Sequence, residues 1–110
     1  MNKKTDKPWG YEDLVELNDV YAVKFLFMKK GQQCSLQHHE EKKETIIILD
    51  GELDIFFNDE WKTYNKYDVL TIPAKKIHRM KASSTDCLYM ECSTPELEDV
   101  VRHEDDYKRS

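Results

Sequence analysis

SLQHHEEKKETIIILDG, residues 35–51, places two histidines and several carboxylates immediately before an unbroken apolar run. Side chains alternate across a strand, so Gln37 and His39 face the same way and can approach one ion together, while His38 is turned to the opposite face. Glu44 lies just beyond a short charged turn. The run Ile46, Ile47, Ile48, Leu49 is β-branched and lacks a helical period, which predicts a strand buried on both faces. Asp50-Gly51 closes it with a turn. The whole stretch reads as a hairpin built to hold a metal ion.

A second histidine at a strand end stands in TIPAKKIHRM, residues 71–80, where Pro73 ends one strand and His78 begins the next. Gln37, His39, Glu44 and His78 would make four ligands. Imidazole, carboxylate and amide oxygen suit one divalent ion such as Zn, Mn, Fe or Ni; the lack of a thiolate argues against a closed structural zinc site and leaves a position open for water or substrate. Spacing alone leaves a rival reading open: a histidine at a strand end is usually solvated, and a His-His pair in a charged stretch is often surface.

Composition sets the frame. A chain of 110 residues supports one core, and 35% charged residues, 11% aromatics, three glycines and three prolines describe a globular protein. A net charge of −5 disfavours nucleic acid as a partner, because phosphate binding needs clustered lysine and arginine. No run approaches the roughly 20 apolar residues that span a bilayer, and MNKKTDKPWG lacks a signal-peptide core, so the expectation is a cytoplasmic protein without a membrane partner. Cys34, Cys87 and Cys92, an odd set without zinc spacing, are expected as reduced thiols in or near the core. Of the basic residues nearest the hairpin, Lys24, Lys42, Lys75, Lys76 and Arg79, most are expected on a solvated face.

Strand signals recur along the chain. KPWGYEDLVEL predicts a turn with Trp9 as packing anchor, then a strand from Tyr11 to Leu17, and VYAVKFLFM a strand to Met28. Lys24 sits in its middle, either on a solvent face or, if turned inward, as an anion holder. ELDIFF and WKTY form a hairpin across Asn58-Asp59-Glu60, YDVLTI runs to Pro73, and HRMKA and CLYMEC flank the loop SSTD. Short strands at this spacing predict an all-β sandwich or jelly roll. The tail STPELEDVVRHEDDYKRS reads as a short helix or an extended arm, with Ser93 or Thr94 and Pro95 able to start a helical turn and Val100-Val101 packing it back.

Taken together, these residues resemble the cupins. The spacing S-L-Q-x-H-x-x-x-x-E followed by glycine is most similar to mannose-6-phosphate isomerase-like cupins; KPWGYE, YAVKFLFMKKG, TIPAKKIHRM and EDVVRHEDDYKR extend the likeness over nearly the whole chain. The resemblance implies a double-stranded β-helix, with a barrel over about 11–93 and an arm over about 94–110. It implies a homodimer, and a metal inside the barrel held by the same four residues. The chain departs from the family pattern at Lys75, where cupins usually place glycine, at Ala82, where asparagine is frequent, and at Lys42, where the isomerase group commonly has arginine. It looks shorter between Glu91 and Glu98 than the bifunctional isomerases, and the nucleotidyltransferase domain often fused to such cupins is not in it.

Three functions follow as expectations. The first is a metal-dependent isomerase or epimerase acting on a sugar phosphate or nucleotide sugar through a stabilised enediolate. Glu91 would be its base, with Glu98 or Asp99 as alternates, though the residues alone favour exposed carboxylates; Lys24, Arg79 or Arg102 would hold phosphate, Arg102 favoured by its place in the closing arm. The second is a cupin that binds a carbohydrate or small anion without turnover and assists a partner enzyme. The third is an iron-dependent dioxygenase using two histidines and one glutamate, which the fourth ligand at Gln37 disfavours.

Overall fold

A computed structural model describes residues 2–107. Among them eleven strands form: β1 Lys3–Lys7, β2 Gly10–Leu17, β3 Ala22–Met28, β4 Leu36–His38, β5 Glu44–Asp50, β6 Leu53–Phe57, β7 Glu60–Tyr64, β8 Val69–Ile72, β9 His78–Lys81, β10 Cys87–Ser93 and β11 Val101–Glu104. They pair antiparallel into two sheets, one ordered β1-β2-β3-β10-β5-β8 and the other β11-β4-β9-β6-β7. The expected all-β jelly roll is the fold.

Period-two burial positions the interior. Along β3, β5 and β10 every second residue is buried, so Ala22, Lys24, Leu26 and Met28 share a face with Glu44, Ile46 and Ile48 and with Cys87, Tyr89, Glu91 and Ser93. Leu53, Ile55 and Met80 come from the opposing sheet to complete the apolar core. Registers then fix neighbours: Glu91 lies beside Lys24 and Ile46, Ser93 beside Glu44, and Gln37 beside His78. Gly51 makes the expected turn after Asp50 with φ +81°, and a Cβ there would meet the Asp86 carbonyl oxygen at 2.1 Å. Asn58 and Asp59, at φ 53° and 62°, form the two-residue hairpin between β6 and β7.

Several expectations are refined or corrected. The run 46–49 is buried on one face only: Ile46 and Ile48 point inward, Ile47 and Leu49 outward and half-buried, because a sandwich covers one side of each antiparallel sheet. The N-terminus is more than a turn. Lys3–Lys7 pairs along β2 through ladder hydrogen bonds, with Lys4 over the Tyr11 ring at 4.3 Å and Lys7 3.8 Å from Glu12, but without the apolar alternation that would have announced it. No helix starts at Ser93 to Pro95; the extended alternative holds, with β11 added beside β4. Of the two valines expected to pack the arm, Val100 lines an interior cavity and Val101 is exposed. The last three residues of that arm, 108–110, lie outside the described residues. Finally, Lys24 and Lys42 are buried, not solvated.

Lys75 keeps a left-handed φ of 70° where the cupin pattern has glycine. Its amide donates to the His39 carbonyl at 2.6 Å, so this strained turn ties the loop before β9 to the end of β4. A left-handed non-glycine residue costs roughly 1–2 kcal/mol, partly offset by the lower unfolded-state entropy of a residue with a side chain. Lys75→Gly is therefore expected to leave stability unchanged or raise it by up to about 1 kcal/mol, and Lys75→Val to lower it by about 1–2 kcal/mol, both read from urea denaturation midpoints.

Candidate metal centre

Three buried side chains converge from three elements. His39 leaves the end of β4, Glu44 opens β5 and His78 opens β9. Glu44 Oε1 lies 3.1 Å from His39 Nε2 and 3.0 Å from His78 Nε2, and the two rings tilt at 48° with centroids 5.2 Å apart. Glu44 is 1% exposed and His78 0%. The remaining ring nitrogens face backbone carbonyls: His39 Nδ1 donates to Asp99 O, and His78 Nδ1 to Lys76 O at 2.9 Å. With Nδ1 engaged by a carbonyl, each ring presents Nε2 toward the carboxylate, the orientation a ligating histidine needs. His78 Nε2 is a buried polar atom without a hydrogen-bond partner. A divalent ion fits this donor set.

Gln37 points into the same cavity as His39, and its Oε1 accepts from Ser35 Oγ at 2.7 Å. His38, as alternation required, is on the other face, hydrogen-bonded to Glu40 and His103. The cavity, about 320 Å³, has an apolar wall of Trp9, Leu26 and Tyr89 and charged groups from Lys24, Lys42, Glu91 and Arg102. The expected ligands, Lys24, Glu91 and Arg102 therefore border one space or the triad beside it, whereas Arg79, also expected as a phosphate holder, does not: its Nε donates to the Cys34 carbonyl at 2.8 Å and it pairs with Asp106 at 3.6 Å.

The charges are arranged in sequence. Lys42 Nζ stands 3.1 Å from Glu91 Oε2 and 3.9 Å from Glu44 Oε2, while Lys24 Nζ stands 3.2 Å from Glu12 Oε2. Burial, then the negative charge of Glu44, pushes the Glu91 carboxyl up to about 7, only partly opposed by Lys42. Burial also acts against ionising Glu44, but the hydrogen bond from Glu91, the neighbouring imidazoles and Lys42 outweigh it and hold Glu44 well below the usual carboxylate range. Of the two coupled carboxyls Glu91 is thus the readier to take a proton, and Glu44 the one favoured as an anion beside the histidines. Burial opposes the charge on Lys42 as well, and the Glu91 and Glu44 carboxylates overcome it, raising its pKa. Glu91 is thus buried rather than exposed, a correction to the expectation from the residues alone.

Sequence reading gave Lys42 no part in the site and Asp99 only that of an alternate base. Lys42 shares a face with Glu44 and Ile46, so the period that turned Glu44 inward could have found it. Asp99 gave no such signal: expected at the mouth or in solvent, it accepts from the backbone N–H groups of Glu40, Glu41 and Lys42 at 2.7–2.9 Å, while its own carbonyl takes the His39 proton. These amides hold its carboxyl at about 2, against an ordinary 3.8. A depressed pKa stabilises the fold fully above the ordinary value, and the contribution is lost as pH falls toward the folded value. Asp99→Ala is expected to cost about 1–2 kcal/mol at pH 7, as a lost helix cap does, with the gap from wild type closing between about pH 4 and 2 in denaturation curves.

Comparison with known proteins places this geometry. The family model described as mannose-6-phosphate isomerase C-terminal matches residues 1–105. Mannose-1-phosphate guanylyltransferase ManC of Salmonella typhimurium is 28% identical over 99% of this chain, and xanthan biosynthesis protein XanB of Xanthomonas campestris likewise 28% over 99%. The chain spans about a quarter of the length of these relatives, 24% of each. Among solved structures, a cupin-2 domain protein of Rhodospirillum rubrum superposes with TM-score 0.81 at 13% identity, covering 92% of this chain and 74% of that one. The capsular polysaccharide assembling protein CapF of Staphylococcus aureus gives 0.79 at 20% identity, over 94% of this chain and 34% of its own. At these identities the two structures speak for the fold alone.

Proposed function

The chain belongs to the mannose-6-phosphate isomerase C-terminal family of cupins, and from that membership and the buried triad we propose that it is a metal-dependent isomerase or epimerase of a sugar phosphate or nucleotide sugar. The observation that carries this reading is the orphaned His78 Nε2, aimed with His39 Nε2 at an anionic Glu44 beside a polar cavity. His39, Glu44 and His78 would hold the ion, with Gln37 as fourth ligand. Bound there, a divalent ion supplies Lewis-acid polarisation of a substrate carbonyl.

The chain's own residues do the rest. Glu91, poised near neutrality, exchanges the proton on the carbon beside that carbonyl, and Lys42 steadies the negative charge each time the proton leaves Glu91. Arg102, opposite Gln37 on β11, holds the phosphate at the mouth. Lys24 is partly neutralised by Glu12 and contributes mainly to orienting Glu91 beside it. Trp9, Leu26 and Tyr89 keep bulk water from the reacting face.

A second reading is binding without turnover, as an accessory to a partner enzyme. Its support is that Glu91 is tied to Lys42 at 3.1 Å, and that the relatives carry other segments outside the stretch this chain matches. Elemental analysis of the purified protein separates the readings when combined with proton NMR of a sugar-phosphate panel in deuterated water. The expected result is about one ion per chain, lost in the double variant His39→Ala, His78→Ala, and deuterium entering carbon 2 of one sugar. Glu91→Gln should keep the ion and slow exchange by roughly 100-fold or more. Metal without exchange across the panel would establish the second reading, and no metal after reloading would refute the ligand set.

We also propose the homodimer that the family resemblance implies. The outer face of the six-stranded sheet carries Val23, Phe25, Phe27, Ile47, Leu88 and Met90 in adjacent registers, an apolar face of the kind that marks association. Light scattering is expected to return twice the chain mass, and Phe25→Glu to return a monomer.

A further inference from the structure

The opposite face of the β4–β11 seam holds a second cluster of metal-ligand type. His38 Nδ1 lies 2.7 Å from His103 Nε2, and the rings stack obliquely at 35° with centroids 5.0 Å apart. The other nitrogen of His38, Nε2, lies 2.8 Å from Glu40 Oε1. Glu40 in turn receives Lys75 Nζ at 3.4 Å, and its pKa is lowered by the His38 hydrogen bond and then by Lys75. The backbone explains why the rings meet. Val101 is opposite His38 and Arg102 opposite Gln37, but the register then slips so that Glu104, not His103, is opposite Leu36. His103 is the extra residue of a bulge, which turns its side chain diagonally onto His38.

We propose that His38 and His103 form a second divalent metal site that staples β11 to β4, taking Zn2+, Cu2+ or Ni2+ through His38 Nδ1 and His103 Nε2, with Glu40 as the carboxylate behind His38. Glu40 accepts the proton of His38 Nε2 and so leaves Nδ1 as a lone pair, the tautomer a ligand requires. In the ion-free molecule His103 supplies the one proton that joins the two rings; an ion replaces that proton and takes both lone pairs. Two imidazoles with water completing the shell select borderline ions over Mg2+ or Ca2+. The site is separate from the buried triad, since alternation sends His38 outward and His39 inward. Its consequence is mechanical: β11 is an edge strand with one neighbour, and the segment it anchors carries Val100 and Arg102 over the cavity. An ion at the seam would hold that wall in place.

Zn2+ alone is titrated calorimetrically into the metal-stripped 110-residue chain, its His39→Ala variant and its His103→Gln variant. His103 is exposed, so its substitution leaves the fold intact, which circular dichroism verifies. The wild type is expected to show two binding events per chain; His103→Gln loses the weaker one and His39→Ala the tighter one. Glu40→Gln should weaken the surviving event in the His39→Ala background by about 10-fold, the usual effect of losing a carboxylate behind a histidine ligand. The proposal is overturned if His39→Ala binds no Zn2+ while His103 is intact, if the weaker event persists in His103→Gln, or if it saturates at half an ion per chain, which would place the ion between two molecules.

Discussion

An ionised carboxylate with 1% of its surface exposed is the constraint around which the rest of this structure is arranged. Withdrawing such a charge from water costs several kcal/mol even after relaxation, so Glu44 has to be compensated from every side. The compensation comes from separate parts of the chain: His39 at the end of β4, His78 at the start of β9, Lys42 before β5, and the Glu91 carboxyl in β10, which hydrogen-bonds to Glu44. Because β5 and β10 belong to one sheet and β4 and β9 to the other, satisfying one carboxylate also ties the two sheets together at that end. The outer supports answer the same demand. Asp99 and Lys76 offer carbonyls that fix the imidazole tautomers, and Lys75 accepts a left-handed backbone to donate its amide to His39.

How much of this was legible depends on where each signal resides. The fold and the inward turn of His39, Glu44 and His78 are local: period-two alternation, a Pro before a strand and an Asp-Gly turn state them directly. Lys24 was ambiguous for a physical reason. Its strand is apolar on both faces, Leu26 and Met28 on one and Phe25 and Phe27 on the other, so alternation could not say which face a lysine joins until β10 supplied Glu91 as its neighbour. β1 was invisible because strand pairing can rest on backbone hydrogen bonds that carry no side-chain signature. Asp99 was unreadable for a different reason, since its partners are amides 57 to 59 residues away and any tight turn presents the same groups.

The interior is divided along its strands. In β5 Glu44 is followed by Ile46 and Ile48; in β10 Cys87 and Tyr89 precede Glu91 and Ser93; in β3 Ala22 and Lys24 precede Leu26 and Met28. Antiparallel registers align these gradients, so Glu44 meets Ser93 and Lys24 meets Glu91, and the polar halves coincide at one end of the sandwich. The other end is a dry core of Met28, Ile48, Leu53 and Ile55. Polar groups and apolar core are thus drawn from opposite ends of the same strands, which lets a small chain keep six buried lysines, glutamates and histidines among the described residues, Lys24, His39, Lys42, Glu44, His78 and Glu91, without losing its apolar contacts.

Both chain ends close over the polar half. Thr5 and Lys7 reach the cavity from β1 and its approach to Trp9, and Leu97, Val100 and Arg102 reach it from the segment that becomes β11. These are edge strands with little burial of their own, each held by a single neighbour. Segments of that kind open most readily, and they tolerate sequence change better than the core they cover. The triad lies deeper, on residues whose replacement would strand a buried charge. On the proposed function, the barrel would fix which ion and which proton can be handled, while the two terminal strands would decide what is admitted, by changing the charges at the mouth without disturbing Glu44.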